Sequence, residues 1–269
     1  MFWLSLVILL VVALSLHFWS ARQFQKRINN SIESLKVSAS TNHPIDINTL
    51  PTLISKFAER ATAQQHNTPK LIHIHQRGEI RMKPNASWQS FKADQYFSTY
   101  EPGFIWIAKI KMTPFISVTV VDSYVDRQGN LQARLFDSIP LTSATSPQLD
   151  QGELMRYIAE LVWNPAAVLF NLDLHFTMLD DETAAASIGG SSVELSFNKS
   201  GDITRIFAPN RPRTVGTDSI PAPWEGKFFD YAQVGPYRVP KRGEVAWLLE
   251  EGIFTYWRGE IVEIKSVEI

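Results

Sequence analysis

Apolar and polar positions alternate with three different periods along this chain, and each period predicts a different kind of element. Residues Phe2 to Trp19 are apolar apart from Ser5, Ser15 and His17. About 18 residues rising 1.5 Å each cover ~27 Å, close to the hydrocarbon thickness of a bilayer, which predicts a membrane-spanning helix over residues 1–20. From Ala21 to about Asn67 the chain turns polar and helix-compatible, which predicts a stalk and linker over residues 21–69. Within it, Leu53, Ile54, Phe57 and Ala58 share one face of a short helix after Pro51, and the small polar residues Ser38 to His43 predict a flexible joint. From Leu71 the period drops to 2. Ile72, Ile74, Ile80 and Met82 alternate with His73, His75, Arg77, Glu79 and Arg81. Similar runs follow at 88–98, 104–112, 116–126 and 131–137, separated by turn chemistry at Lys83-Pro-Asn, Tyr100-Glu-Pro-Gly and Asp126-Arg-Gln-Gly-Asn. They resume at 172–179, 184–188, 193–198, 203–208, 228–234, 243–249 and 254–268.

One stretch breaks the strand pattern. Asp150 to Trp163 reads as a helix, with Asp150 as N-cap, Glu153 completing a capping box and Asn164-Pro165 as the stop. At 100° per residue Glu153, Arg156 and Glu160 fall in one ~60° arc, and Leu154, Met155, Tyr157, Ile158, Leu161, Val162 and Trp163 cover the remainder. A helix so apolar must pack on more than one side. About a dozen strands exceed what a flat sheet holds, so the fold class is mainly β (α+β), a curved antiparallel sheet forming a half-barrel or barrel over residues 70–269 around this helix. The polar segment Pro209 to Trp224, carrying Arg211 and Arg213, reads as a long connection, with a mobile lid as the alternative.

Composition narrows the function. The 269 residues are 45% hydrophobic and 20% charged with a net charge of -1, which describes a folded chain with no field to attract nucleic acid. The absence of cysteine removes disulfides, thiolate metal sites, cysteine nucleophiles and an acylation site. No basic region precedes the apolar segment and no small-x-small site lies before Arg22, which favours an anchor over a cleaved signal peptide. Arg22, Lys26 and Arg27 follow it, and by the positive-inside rule they favour a cytoplasmic body.

The usual signatures of hydrolases, nucleotide enzymes and zinc proteases are missing, and no cofactor is implied. His73 and His75 share one strand face and with His175 offer three metal ligands, though their spacing specifies no site. Glu153, Glu160, Asp173, Asp180 and Asp181 include no carboxylate pair whose separation sequence can fix. The aromatic content points elsewhere: 8 Trp, 7 Tyr and 16 Phe, several at alternating strand positions such as Trp106 and Trp247, suit an apolar cavity inside the curved sheet. The candidate ligand contacts are Glu153, Arg156, Tyr157, Glu160, Trp163, Trp106 and Trp247, for a lipid or acyl chain. An enzyme using the Glu/Arg stripe and an envelope protein-interaction module are the alternatives.

Arg77-Gly-Glu-Ile-Arg-Met-Lys-Pro84, Gln95-Tyr-Phe-Ser98, Pro102-Gly-Phe-Ile-Trp106, Asp150-Gln-Gly-Glu-Leu154 with Arg156-Tyr157 and Ala159-Glu160, and Trp257-Arg-Gly259 together resemble a bacterial family of unknown function with an N-terminal membrane segment. That resemblance implies a single-pass protein of the bacterial inner membrane and transfers no catalytic residue. More distantly, the pattern resembles the lipoprotein-carrier (LolA-like) half-barrel, which implies acyl-chain binding and a periplasmic body, opposite to the charge vote.

Overall fold

The computed structural model describes residues 2–38, 43–64, 67–216 and 218–267, so the expected joint at Ser38 to His43 lies largely outside the described residues. Helix α1 runs Phe2–Ser38 and α2 Thr52–Thr62. Strands β1 Leu71–Ile80, β2 Gln89–Ser98, β3 Phe104–Lys111, β4 Ser117–Val125, β5 Gln128–Leu135 and β6 Ile139–Ala144 form the first meander. Helix α3 (Pro147–Ala159), a 3-10 turn and the short α4 (Ala167–Phe170) follow. The second meander is β7 His175–Met178, β8 Thr183–Ile188, β9 Ser191–Phe197, β10 Ile203–Val215, β11 Asp218–Val234, β12 Tyr237–Leu249 and β13 Gly252–Val267.

All thirteen strands make one antiparallel sheet in the order β6-β5-β4-β3-β2-β1-β13-β12-β11-β10-β9-β8-β7. Its edge strands β6 and β7 do not pair, so the sheet is a half-barrel and not a closed barrel. The segment Pro209 to Trp224 is neither lid nor loose connection: Arg211 to Val215 pair with Ala222 to Asp218, extending β10 and β11 into a long hairpin. Two of its four prolines sit across from one another, Pro212 facing Pro221.

A row of glycines crosses the sheet. Gly78 faces Gly259, and Gly259 faces Gly243 on the next strand. A Cβ at Gly78 would lie 2.2 Å from the Arg258 carbonyl oxygen, so the two strands approach more closely there than any side chain permits. Rings occupy the space the glycines vacate: Phe91 lies over Gly78, Trp257 over Gly259, and Trp163 with Phe228 over Gly243.

Two apolar layers result. The concave face, α2, α3 and α4 form the main core, with Tyr157, Phe57, Phe97, Phe104 and Tyr237 among its fully buried side chains. On the outer face, Phe24, Ile28 and Leu35 of α1 pack against Leu71, Ile105 and Val121 of the sheet, so the C-terminal half of α1 lies along β1 to β4. The N-terminal half, Phe2 to Trp19, is exposed and is long and apolar enough to cross a membrane.

Candidate functional site

Helix α3 starts earlier than its sequence suggests. Ser146 is the N-cap, its Oγ accepting from the Leu149 N–H at 3.1 Å, and Pro147 occupies the first turn. Asp150 is therefore not the cap. Its Oδ1 accepts the Gly129 N–H at 2.7 Å and ties the helix to β5, where a Cβ at Gly129 would meet the Leu149 carbonyl oxygen at 2.8 Å. Gly129 is needed for this close approach; the β4–β5 turn itself is made by Asp126 and Arg127, both at positive φ.

The polar stripe faces the sheet. Arg156 donates through Nη1 to Asp122 of β4 at 2.6 Å and through Nε to Glu160 at 2.7 Å, over the rings of Phe104 and Trp106. Gln95 donates to the other Glu160 oxygen at 2.5 Å, Gln76 donates to Gln95 at 2.9 Å, and Trp106 Nε1 donates to Gln76 at 2.9 Å. Glu153 meets Arg211 of β10 at 3.3 Å, and the Arg211 guanidinium lies over Trp224 at 4.5 Å and Trp247 at 5.4 Å. Three carboxyl groups and two guanidiniums thus share a largely dry space, and neutrality requires one proton. Burial and the neighbouring Asp122 charge push Glu153 up to about 8 against the pull of Arg211 and Arg156, and burial also raises Asp122. Among the described residues, Glu153 Oε2 and Asp122 Oδ1 have no hydrogen-bond partner, which leaves room for that proton on this side of the cluster.

Of the seven candidate residues, Glu153, Arg156, Glu160, Trp106 and Trp247 come together in this network. Tyr157 and Trp163 do not. Tyr157 accepts from Asn171 at 2.8 Å and stacks on Phe97 at 4.8 Å, while Trp163 donates to the Pro240 carbonyl at 3.1 Å between Phe228 and Trp257. The partners Asp122, Gln76, Gln95 and Arg211 escaped the sequence pattern. Their signal was a polar residue in the buried phase of a strand, as Asp122 is between Val120 and Tyr124.

His73 and His75 do share a face, but the group near them is Asp94 of β2, with all three ligand atoms within 4.8 Å of one another. Hydrogen bonding from His73, with both imidazoles close by, holds the Asp94 carboxyl below its usual range. His175 lies on β7, at the far edge of the sheet.

A cavity of about 950 Å³ lies on the outer face along the glycine row. Arg77, Lys92, Lys109, Arg242 and Arg258 surround it, their positions alternating along the strands with core-facing ones, and the β3–β4 turn contributes Phe115 and Ile116. None of the seven candidate residues lines it.

A profile of one family of unknown function, DUF6920, matches residues 48–265, which take in all but the last two residues of the sheet and the three inner helices α2, α3 and α4. The chain belongs to this family. No curated protein is significantly similar to it. Among solved structures, it is similar to a LolA superfamily protein from Nitrosomonas europaea at 12% identity and a TM-score of 0.43, covering 81% of this chain and 93% of that one. It is also similar to a DUF1329 family protein from Desulfovibrio piger at 7% identity and a TM-score of 0.43, covering 74% of this chain and 87% of that one. In this DUF6920 member the large curved sheet stays open, and the long apolar helix precedes it.

Proposed function

We propose that this DUF6920 member is a single-pass protein of the bacterial inner membrane that holds a lipid or acyl chain against its half-barrel. The observation that carries this reading is the groove of about 950 Å³, a volume within the range of small-molecule sites. Phe115, Ile116 and Phe229 offer it apolar surface. Lys92, Lys109 and Lys111 stand at its wall without a carboxylate partner among the described residues, whereas Arg77 and Arg258 are paired with Glu260 and Glu79. An acyl tail over the glycine row with an acidic head group at these lysines satisfies both features. The seven residues first proposed as contacts act in this reading as the frame that fixes α3 inside the sheet.

The test is lipid mass spectrometry on full-length protein purified beside an unrelated single-span protein of similar size. Stoichiometric lipid that is depleted in the Lys92→Glu/Lys109→Glu/Lys111→Glu variant supports the reading. Lipid content equal to that of the control protein overturns it.

Chemistry at the Glu153 cluster is the second reading, favoured by a carboxyl poised near neutral pH. Against it, Arg156, Glu160 and Arg211 are already engaged by protein groups, which suits a structural network better than a substrate site.

A further inference from the structure

The end of the domain from which the apolar half of α1 departs is marked by hydrogen bonds. Ser20 Oγ donates to the Ser138 carbonyl at 2.8 Å, and Ser138 Oγ is hydrogen-bonded to His17 Nδ1 at 2.6 Å. Ser138 belongs to the β5–β6 turn, so that turn touches the last helical turn of the Phe2 to Trp19 segment. If that segment spans a bilayer, the β5–β6 turn stands at the bilayer surface. The Phe136 N–H donates to the Ser117 carbonyl at 3.3 Å, which sets the β3–β4 turn at the same level.

These turns are unusually apolar for exposed tips. Phe115 is 91% exposed, and Met112, Ile116, Phe136, Ile139 and Leu141 are exposed around it. Phe136 and Asp137 lie in the three-residue β5–β6 turn with φ of 51° and 60°, a left-handed conformation that favours Asn-Gly. A bulky ring held there is strained, which suggests that an exposed phenyl group at this tip is used for something other than folding. Cations flank the apolar tips: Lys109 and Lys111 on β3, and Arg22, Lys26 and Arg27 on α1, all exposed.

We propose that the β3–β4 and β5–β6 turns form a second membrane contact, with Phe115 and Phe136 inserted at the interface of the bilayer that α1 crosses and the flanking lysines and arginines on acidic head groups. This rests on the anchor reading above. It also gives the groove a direction, because Phe115 and Ile116 belong both to the tip and to the groove wall, so the groove opens where lipid is at hand.

The chain has no cysteine, so single thiols place probes without background. Full-length Phe115→Cys, Phe136→Cys, Leu9→Cys and Gln128→Cys variants, each carrying an environment-sensitive fluorophore, are reconstituted in nanodiscs of phosphatidylglycerol and phosphatidylcholine with and without nitroxide-labelled lipid. Gln128 is exposed at the other end of β5, about seven residues or ~23 Å from the turn. The expected result is blue-shifted emission and loss of fluorescence to the nitroxide at Leu9, Phe115 and Phe136, with neither at Gln128. Quenching at Leu9 but polar, unquenched emission at Phe115 and Phe136 overturns this contact and leaves the anchor standing. Blue-shifted but unquenched tips mean that protein covers them, which also overturns it. An unquenched Leu9 probe overturns the anchor and this contact together.

Discussion

Arg156 Nη1 donates to Asp122 Oδ2 at 2.6 Å, and this contact joins the inner helix to a strand in the first half of the sheet. Arg211 to Glu153 joins the same helix to the second half. The helix is thus pinned from both sides by charge.

Removing one member of such a pair leaves the others unpaired in a dry site. Arg156→Met is expected to destabilise the fold by about 3–5 kcal/mol, measured by urea unfolding in detergent. Adding Asp122→Asn to it should recover part of the loss, because one orphaned charge disappears. Additive losses in the double variant would contradict the pairing.

Glu153 gives the cluster a pH signature. Its carboxyl has an ordinary value of 4.5 and stands at about 8 in the fold. Between these values the folded chain keeps a proton that the unfolded chain has released, so stability falls as pH rises from 4.5 and levels off above about 8. Glu153→Gln keeps a polar group near Arg211 and removes the titration. Its melting temperature should match the wild type near pH 5 and exceed it at pH 9; parallel curves would contradict this assignment.

Trp163 is 2% exposed and fills the hollow over Gly243. Trp163→Ala should cost about 3–5 kcal/mol by chemical denaturation. A loss well under 1 kcal/mol would mean that the ring lines open space.

Gly78→Ala tests the close approach of β1 and β13. The added methyl would lie 2.2 Å from the Arg258 carbonyl, whereas at Gly190 nothing stands within 4 Å. Overpacking should cost about 1–3 kcal/mol or more at Gly78 and under about 1 kcal/mol for Gly190→Ala.

Much of this fold was legible because strand alternation is local. The runs at 71–82, 104–112 and 116–126 correspond to β1, β3 and β4 within a residue or two, and the apolar circumference of α3 correctly implied packing on several sides. β6 went unseen because Ile139-Pro-Leu-Thr-Ser-Ala is an exposed edge strand whose pairing, not its side-chain pattern, makes it a strand. The Pro209 to Trp224 hairpin was hidden by prolines, which a two-stranded extension tolerates where an inner strand would not. At the site, Glu153, Arg156 and Glu160 were visible as a helical stripe. Their partners on β1, β2, β4 and β10 were not, because which strands meet a helix is decided by sheet order.

That order has a consequence for synthesis. Each meander is built from neighbours in sequence, but among the described residues their strands meet only where β1 lies beside β13, pairing Leu71 with Val267. The strand that unites the halves is made after the other twelve described strands, long after α1 has emerged. Until then both meanders present an open inner edge, at β1 and at β12, with the inner helix between them. Loss of the final strand would therefore divide the molecule down its middle instead of trimming its rim. Completion of the sheet should await synthesis of β13, with the long-range β1–β13 pairing as its slow step.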